Sequence, residues 1–385
     1  MKKKKRQELM AKAIGYAVGI GSGIVMVNVM RRLEIGFLPA YIGLLAALYV
    51  MFFLSTVLHE AGHLAAGLLT GYRFFMFRAG AFVWHRDEAG KIRVGRMKTP
   101  GIAGQCLMTP PELADGRMPV ALYNMGGVIA DAAGALIAAA AAWLTASSPV
   151  IWGLWTIFAI CCLGSALNNG IPRRGGSVNN DGHNCRLLRK HPECIPVFRS
   201  HLLISSDLWK GMELKDMPEE RFVLPTDGQM QEHSVYASQG VYCALRFIEQ
   251  ERTEEAVRLI DRLINGGVAL LESQRNTLKM EWACIEMLGA NRSELVEQLL
   301  DQRTQKAIRK MKGSLYTARI GYMYAALVDR NMEKAAVYEK MFEKAAKHFP
   351  VQKAVEGERA IMEKARQKAM EYGKEEKIIV KVLED

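Results

Sequence analysis

Long runs without charge alternate with short basic segments through the first 172 residues, and no comparable run follows them. Residues 13–30 carry no charged side chain, 37–71 carry only Glu60, and 118–172 carry only Asp131. A helix rises about 1.5 Å per residue, so roughly 20 such residues cross an apolar layer about 30 Å thick. The first run therefore predicts one transmembrane helix, and the second predicts another whose end reaches or passes the interface. Ser147-Ser148-Pro149 breaks the third run, which predicts two helices, 119–145 and 149–168, joined by a short turn. Beyond 172 the hydrophobic positions are interspersed with many charges, as in soluble amphipathic helices.

The segments between the runs set the orientation. Residues 1–6 include five basic side chains, like the start of a secretory signal. The apolar stretch behind them ends at Arg31-Arg32 without a small-x-small cleavage site, so it is expected to remain as the first span. The loop 72–117 is basic and punctuated by glycine. Within it, 81–86, the turn Asp87-Glu88-Ala89-Gly90 and 91–94 predict a β-hairpin. Lysine and arginine concentrate at the N-terminus, in 72–117 and after Pro172, and are absent from the 146–149 turn. The positive-inside rule then puts both termini in the cytoplasm. The expected location is a bacterial plasma membrane, with the lipid bilayer as a partner.

Charge and cysteine content exclude some classes. Residues 1–172 hold 16 basic and 8 acidic side chains, and the remainder holds 35 and 32. The net charge of +11 thus comes mainly from membrane flanks, and no nucleic acid partner is expected. Seven cysteines with no C-x-x-C spacing support neither a disulfide framework nor a cysteine zinc site.

From about 230 to 350 the sequence repeats weakly. Segments starting at Arg252, Arg292 and Asn331 recur at 39–40 residues, each between two amphipathic stretches. This predicts stacked helical hairpins, similar in layout to tetratricopeptide repeats, or else an irregular helical bundle. Such stacks usually present an extended groove, so a cytoplasmic protein partner is expected for this region.

His59-Glu60-Ala61-Gly62-His63 carries the chemistry. On a helix, positions i and i+4 share a face, so the two imidazoles can bind one Zn²⁺ with Glu60 as general base. A carboxylate inside an apolar span is expensive and is a functional candidate by default. The third ligand must lie at the same depth. The second and fourth helices both run from outside to inside, which brings Asp181 of Asn179-Asn180-Asp181-Gly182-His183 to the cytoplasmic side with the histidines. His183 and Asp131 are the auxiliary candidates, with a helix-packing hydrogen bond as the other reading of Asp131.

These motifs resemble the site-2 protease family of intramembrane zinc metalloproteases. That family pairs H-E-x-x-H on one span with N-x-x-P and L-D-G on a later one. Here His59, Glu60 and His63 are followed by Asn169-Gly170-Ile171-Pro172 and then Asp181-Gly182. Asn180 stands in place of the leucine, residues 173–176 lengthen the link, and Gly127 to Asp131 stands where the family has Gly-Pro-x-x-Asn. The resemblance implies that His59, His63 and Asp181 hold zinc, that Glu60 is catalytic and that Asn169 positions substrate. It also implies that the 81–97 hairpin pairs with an extended membrane-protein substrate.

The expected fold is an all-α polytopic membrane protein with a small β-hairpin insertion and four transmembrane helices. The expected organisation is an N-terminal helix and basic tail (1–36), a zinc metalloprotease core (37–188), a linker (189–229) and a helical-repeat domain (230–385). The rival expectation is a membrane-anchored scaffold whose zinc core is inactive.

Overall fold

A computed structural model describes residues 2–87, 89–97, 103–174, 179–311 and 313–384. The chain is mostly helical and divides into two compact units, 1–80 with 102–203, and 81–101 with 204–385.

The first unit contains four helices long and apolar enough to cross a membrane. These are α1 (Lys2–Leu33), α2 (Phe37–Leu69), α3 (Val120–Leu144) and α4 (Pro149–Gly170). Their ends follow the sequence. Glu34 adopts a left-handed backbone between α1 and α2, and Pro149 opens α4 at a position where its missing N–H costs nothing. The polarity of the bundle is reversed relative to a soluble protein. Ile20, Ile42, Tyr49, Leu136, Ile137 and Leu163 point outward, whereas Ser55, His59, Glu60, His63, Asn124 and Asp131 are buried. Apolar surface outside and polar groups inside is the arrangement lipid demands.

α2 and α3 touch through glycine. A Cβ on Gly62 would stand 2.4 Å from the Gly126 carbonyl oxygen, and one on Gly126 would stand 2.5 Å from that of Gly62. Ala66 and Ala130 continue the same small-residue seam. After α2, strands β1 (Arg73–Ala79) and β4 (Gly104–Thr109) pair antiparallel, from Arg73 opposite Thr109 to Ala79 opposite Gly104. The register shifts between Phe74 and Met76. The unit continues through α5 (Asp181–Lys190), and its boundary falls within α6 (Ile195–Trp209). The expected linker at 189–229 therefore contains a helix, because its apolar positions are dense enough to form one.

The second unit holds the expected hairpin. β2 (Phe82–Arg86) and β3 (Ile92–Arg96) pair from Phe82 opposite Arg96 to Arg86 opposite Ile92. Asp87 closes the turn by accepting the Lys91 N–H, while Gly90 supplies a positive φ. Turn residue Glu88 lies outside the described residues. Grouping the hairpin with the helical unit departs from the expected 37–188 core.

The helices of this unit are α7 (Asp227–Glu232), α8 (Ser234–Glu249), α9 (Thr253–Asn265), α10 (Glu272–Leu288), α11 (Ser293–Leu299), α12 (Gln302–Lys310), α13 (Leu315–Met323), α14 (Met332–Ala346) and α15 (Gln352–Glu384). The recurring segments mark one repeated corner. Glu251, Asn291 and Arg330 all take the left-handed backbone, 40 and 39 residues apart, immediately before the residues flanking α9, α11 and α14.

The core around Met280, Cys284, Met287, Tyr322 and Phe342 also contains a cation. Arg319, 1% exposed, donates a hydrogen bond to Glu281 at 2.8 Å, forms an ion pair with Glu358 at 2.7 Å, and lies 4.8 Å from the Tyr316 ring centroid. Removing one member of such a cluster strands the others in a dry interior. Arg319→Ala is expected to destabilise this unit by about 3–5 kcal/mol, measured by denaturant unfolding of the whole protein followed by circular dichroism. An unchanged transition would mean that water reaches the two carboxylates.

Candidate metal centre

The helical spacing of four puts both imidazoles of α2 on the face that meets α3. His59 Nε2 lies 3.2 Å from His63 Nε2. Asp181 Oδ2, at the start of α5, lies 3.1 Å from the first and 3.4 Å from the second. All three side chains are buried or nearly so.

The outer nitrogens fix what the inner ones can do. His63 Nδ1 lies 2.8 Å from the Tyr123 carbonyl oxygen, which only accepts, so Nδ1 carries the proton and Nε2 presents a lone pair. His59 Nδ1 lies 2.7 Å from Asp131 Oδ2, and the same reasoning applies. Three electron-rich atoms thus face one another. A second proton on His59 would relieve only one edge of this triangle. A cation at the centre relieves all three.

The triangle also has suitable dimensions. Four ligands at about 2.0–2.1 Å around a tetrahedral zinc stand about 3.3–3.4 Å apart, close to the observed separations. A cation at the centre would also favour the ionised form of Asp181, the form that ligates.

Asp181 arrives there through a tied loop. Asn180 caps α5 by accepting the His183 N–H at 3.0 Å, and its Oδ1 also accepts the Arg173 N–H at 2.9 Å. Its Nδ2 donates to the carbonyls of Asn168 at 2.9 Å and Ile171 at 2.7 Å. One side chain thus joins the end of α4 to the start of α5, whereas residues 175–178 lie outside the described residues. A leucine could make none of these bonds. Gly182 then lies against the Gly170 carbonyl oxygen, where a Cβ would come within 2.1 Å.

The other candidates divide. Asp131 does not join the triangle and instead orients His59 from behind, with no exposed surface. His183 caps through its backbone and is absent from the triangle. Asn169 Nδ2 donates to Ser165 Oγ at 3.3 Å, and its carbonyl oxygen would lie 3.1 Å from a Cβ on Gly182. Glu60 is 7% exposed and lies against the start of β4, where a Cβ on Gly104 would come within 2.6 Å of its Oε1. The strand beside Glu60 is therefore β4 rather than the 81–97 hairpin.

Sequence reasoning did not single out the roles of Gly127, Tyr123 or Arg78. A Cβ on Gly127 would stand 2.6 Å from His63 Nε2 and 2.7 Å from His59 Nε2, so only glycine leaves the ligand atoms room. Tyr123 acts through its backbone and is silent in sequence. Arg78 is fully buried on β1, none of its guanidinium nitrogens has a hydrogen-bond partner among the described residues, and burial lowers its pKa. Its position beside the Ala79–Gly104 pair could have been found only by pairing β1 with β4.

Comparison of the chain with known protein families, curated proteins and solved structures gives no match.

Asp131→Asn is expected to weaken zinc binding about 10–100-fold, the usual cost of losing a partner that orients a ligand. Asp181→Asn should weaken it further, because a ligand itself is lost. Competitive zinc titration of the purified chain measures both. An Asp131→Asn variant with unchanged affinity would make Asp131 a packing residue only.

Proposed function

We propose that this protein is an intramembrane zinc metalloprotease that hydrolyses a peptide bond in or beside a transmembrane segment. The observation that carries this reading is the convergence of His59, His63 and Asp181 beside Glu60, on helices long and apolar enough to cross a membrane. His59, His63 and Asp181 would hold zinc, which supplies Lewis acidity when bound. Three protein ligands are the number used by catalytic rather than structural zinc sites.

The side chains then divide the work. Glu60 accepts a proton from the attacking water and delivers it to the leaving amine nitrogen as the peptide C–N bond breaks. Asp131 and the Tyr123 carbonyl keep both imidazoles in the ligating tautomer. Among the described residues β4 has β1 on one side and no strand on the other. A substrate segment must be extended before its carbonyls are free to react, and the open edge of β4 offers main-chain hydrogen bonds for that purpose. Asn169 assists in positioning it, as the resemblance to site-2 proteases suggests. The helical unit recruits or regulates, since the buried Arg319, Glu281 and Glu358 of its core are paired with one another and serve packing. Both termini are cytoplasmic, following the distribution of basic residues.

Glu60→Gln preserves size while removing the proton acceptor. It is expected to retain zinc and lose about 10²–10⁴-fold in the rate of cleavage of a single-span substrate reconstituted with the enzyme. Full activity in this variant would end the proposal, and membrane proteomics of wild type against Glu60→Gln would identify the uncut substrates. For topology, Cys243 and Cys284 are too buried to report. Cysteines introduced at the exposed positions Ser147 and Glu254 serve instead. A membrane-impermeant thiol reagent applied from outside should label Ser147→Cys and not Glu254→Cys, and the reverse pattern would invert the orientation.

A further inference from the structure

The basic residues of the β2–β3 hairpin do not face solvent alone. Within the second unit they line one side of a cavity of about 620 Å³ whose other side is the turn between α14 and α15. The hairpin supplies Phe82, His85, Arg93 and Arg96, and the turn supplies Lys347 to Pro350. The two walls meet where Pro350 packs on Gly95, at which a Cβ would come within 3.1 Å of the ring. The volume is in the range of small-molecule sites.

Its charge is unbalanced. Three permanent cations, Arg93, Arg96 and Lys347, line it against one acid, Asp87. Asp87 is committed to Arg93 Nε at 2.8 Å and to the Lys91 N–H. Arg96 and Lys347 make no ion pair among the described residues, and Arg96 is held over the Phe82 ring at 5.1 Å. His85, 5% exposed, also lines the cavity, and its Nδ1 has no hydrogen-bond partner among the described residues. The turn leads directly into α15, which has 33 residues and no acid in its first turn. That helix end adds a further positive pole.

We infer that this cavity binds a phosphate group between the hairpin and the α14–α15 turn, its charge answered by the lining cations Arg93, Arg96 and Lys347. Two forked guanidiniums and an ammonium suit a tetrahedral dianion, whereas a single carboxylate would leave part of the positive charge unanswered. The aromatic rings of Phe82 and Phe349 supply apolar walls for whatever carries the phosphate. The consequence is a ligand-dependent clamp between the hairpin and the helical repeat region. It is independent of the zinc chemistry proposed above.

The test uses the full chain in phosphatidylcholine nanodiscs, with hydrogen exchange of residues 92–96 and 347–350 as readout. Inorganic pyrophosphate is one probe, and phosphatidic acid doped into the disc is the other. Slowed exchange with pyrophosphate assigns a soluble phosphate compound, and slowing with phosphatidic acid alone assigns a lipid headgroup. Either result supports the site. Arg96→Gln combined with Lys347→Gln should reduce the affinity for the effective probe at least tenfold. If the pair disturbs exchange in α13, Lys347→Gln alone, at an exposed position, should still reduce it severalfold. Absence of protection by both probes, protection undiminished in the variants, or equal protection by a polyglutamate peptide would overturn the inference.

Discussion

The contact between Gly62 and Gly126 is the constraint on which the His59–His63–Asp181 cluster depends. In lipid there is little hydrophobic force between helices, so α2 and α3 must be held by close packing and by hydrogen bonds made in a dry medium. Two glycines let the backbones meet, and that approach brings the His59–His63 face of α2 within reach of the Tyr123 carbonyl and Asp131. Gly127, one residue along, leaves space where the ligand atoms gather. A larger side chain at any of these positions would move the helices apart and with them the orientation of both imidazoles.

The second dependence is electrostatic. Two imidazoles of α2 and an acid of α3 are buried on helices long and apolar enough to cross a membrane, where an unpartnered charge costs several kcal/mol. Both imidazoles are hydrogen-bonded through their outer nitrogens, so the lone pairs of their inner nitrogens face Asp181. The buried Arg319 cluster in the helical unit shows the contrasting solution, in which two acids enclose one cation and no chemistry is left over.

Much of this was legible in the sequence because span length, charge distribution and H-E-x-x-H spacing are local. The four span-length apolar helices followed from run lengths and the hairpin from alternation about the 87–90 turn, and Asp181, the expected third ligand, lies with the two histidines. The corner recurring at Glu251, Asn291 and Arg330 was visible as a weak repeat at the same spacing. What escaped was non-local or carried by the backbone. Strands β1 and β4 lie 25 residues or more apart along most of their register and contain a shift, so neither advertises its partner. The Tyr123 carbonyl has no sequence signature at all. Nothing in the sequence signals the bonds that Asn180 makes to Asn168 and Arg173.

The loop that Asn180 ties has a consequence for biosynthesis. His59 and Asp181 are separated by 122 residues. At roughly 5–20 residues per second a ribosome needs about 6–24 s to travel that distance. Throughout this interval the two histidines are already in the nascent chain while their carboxylate partner has not been made. The centre closes only after the fourth span has emerged and Asn180 has fastened the loop behind it. Assembly of the His59–His63–Asp181 cluster is thereby made a late event, coupled to completion of the whole helical bundle.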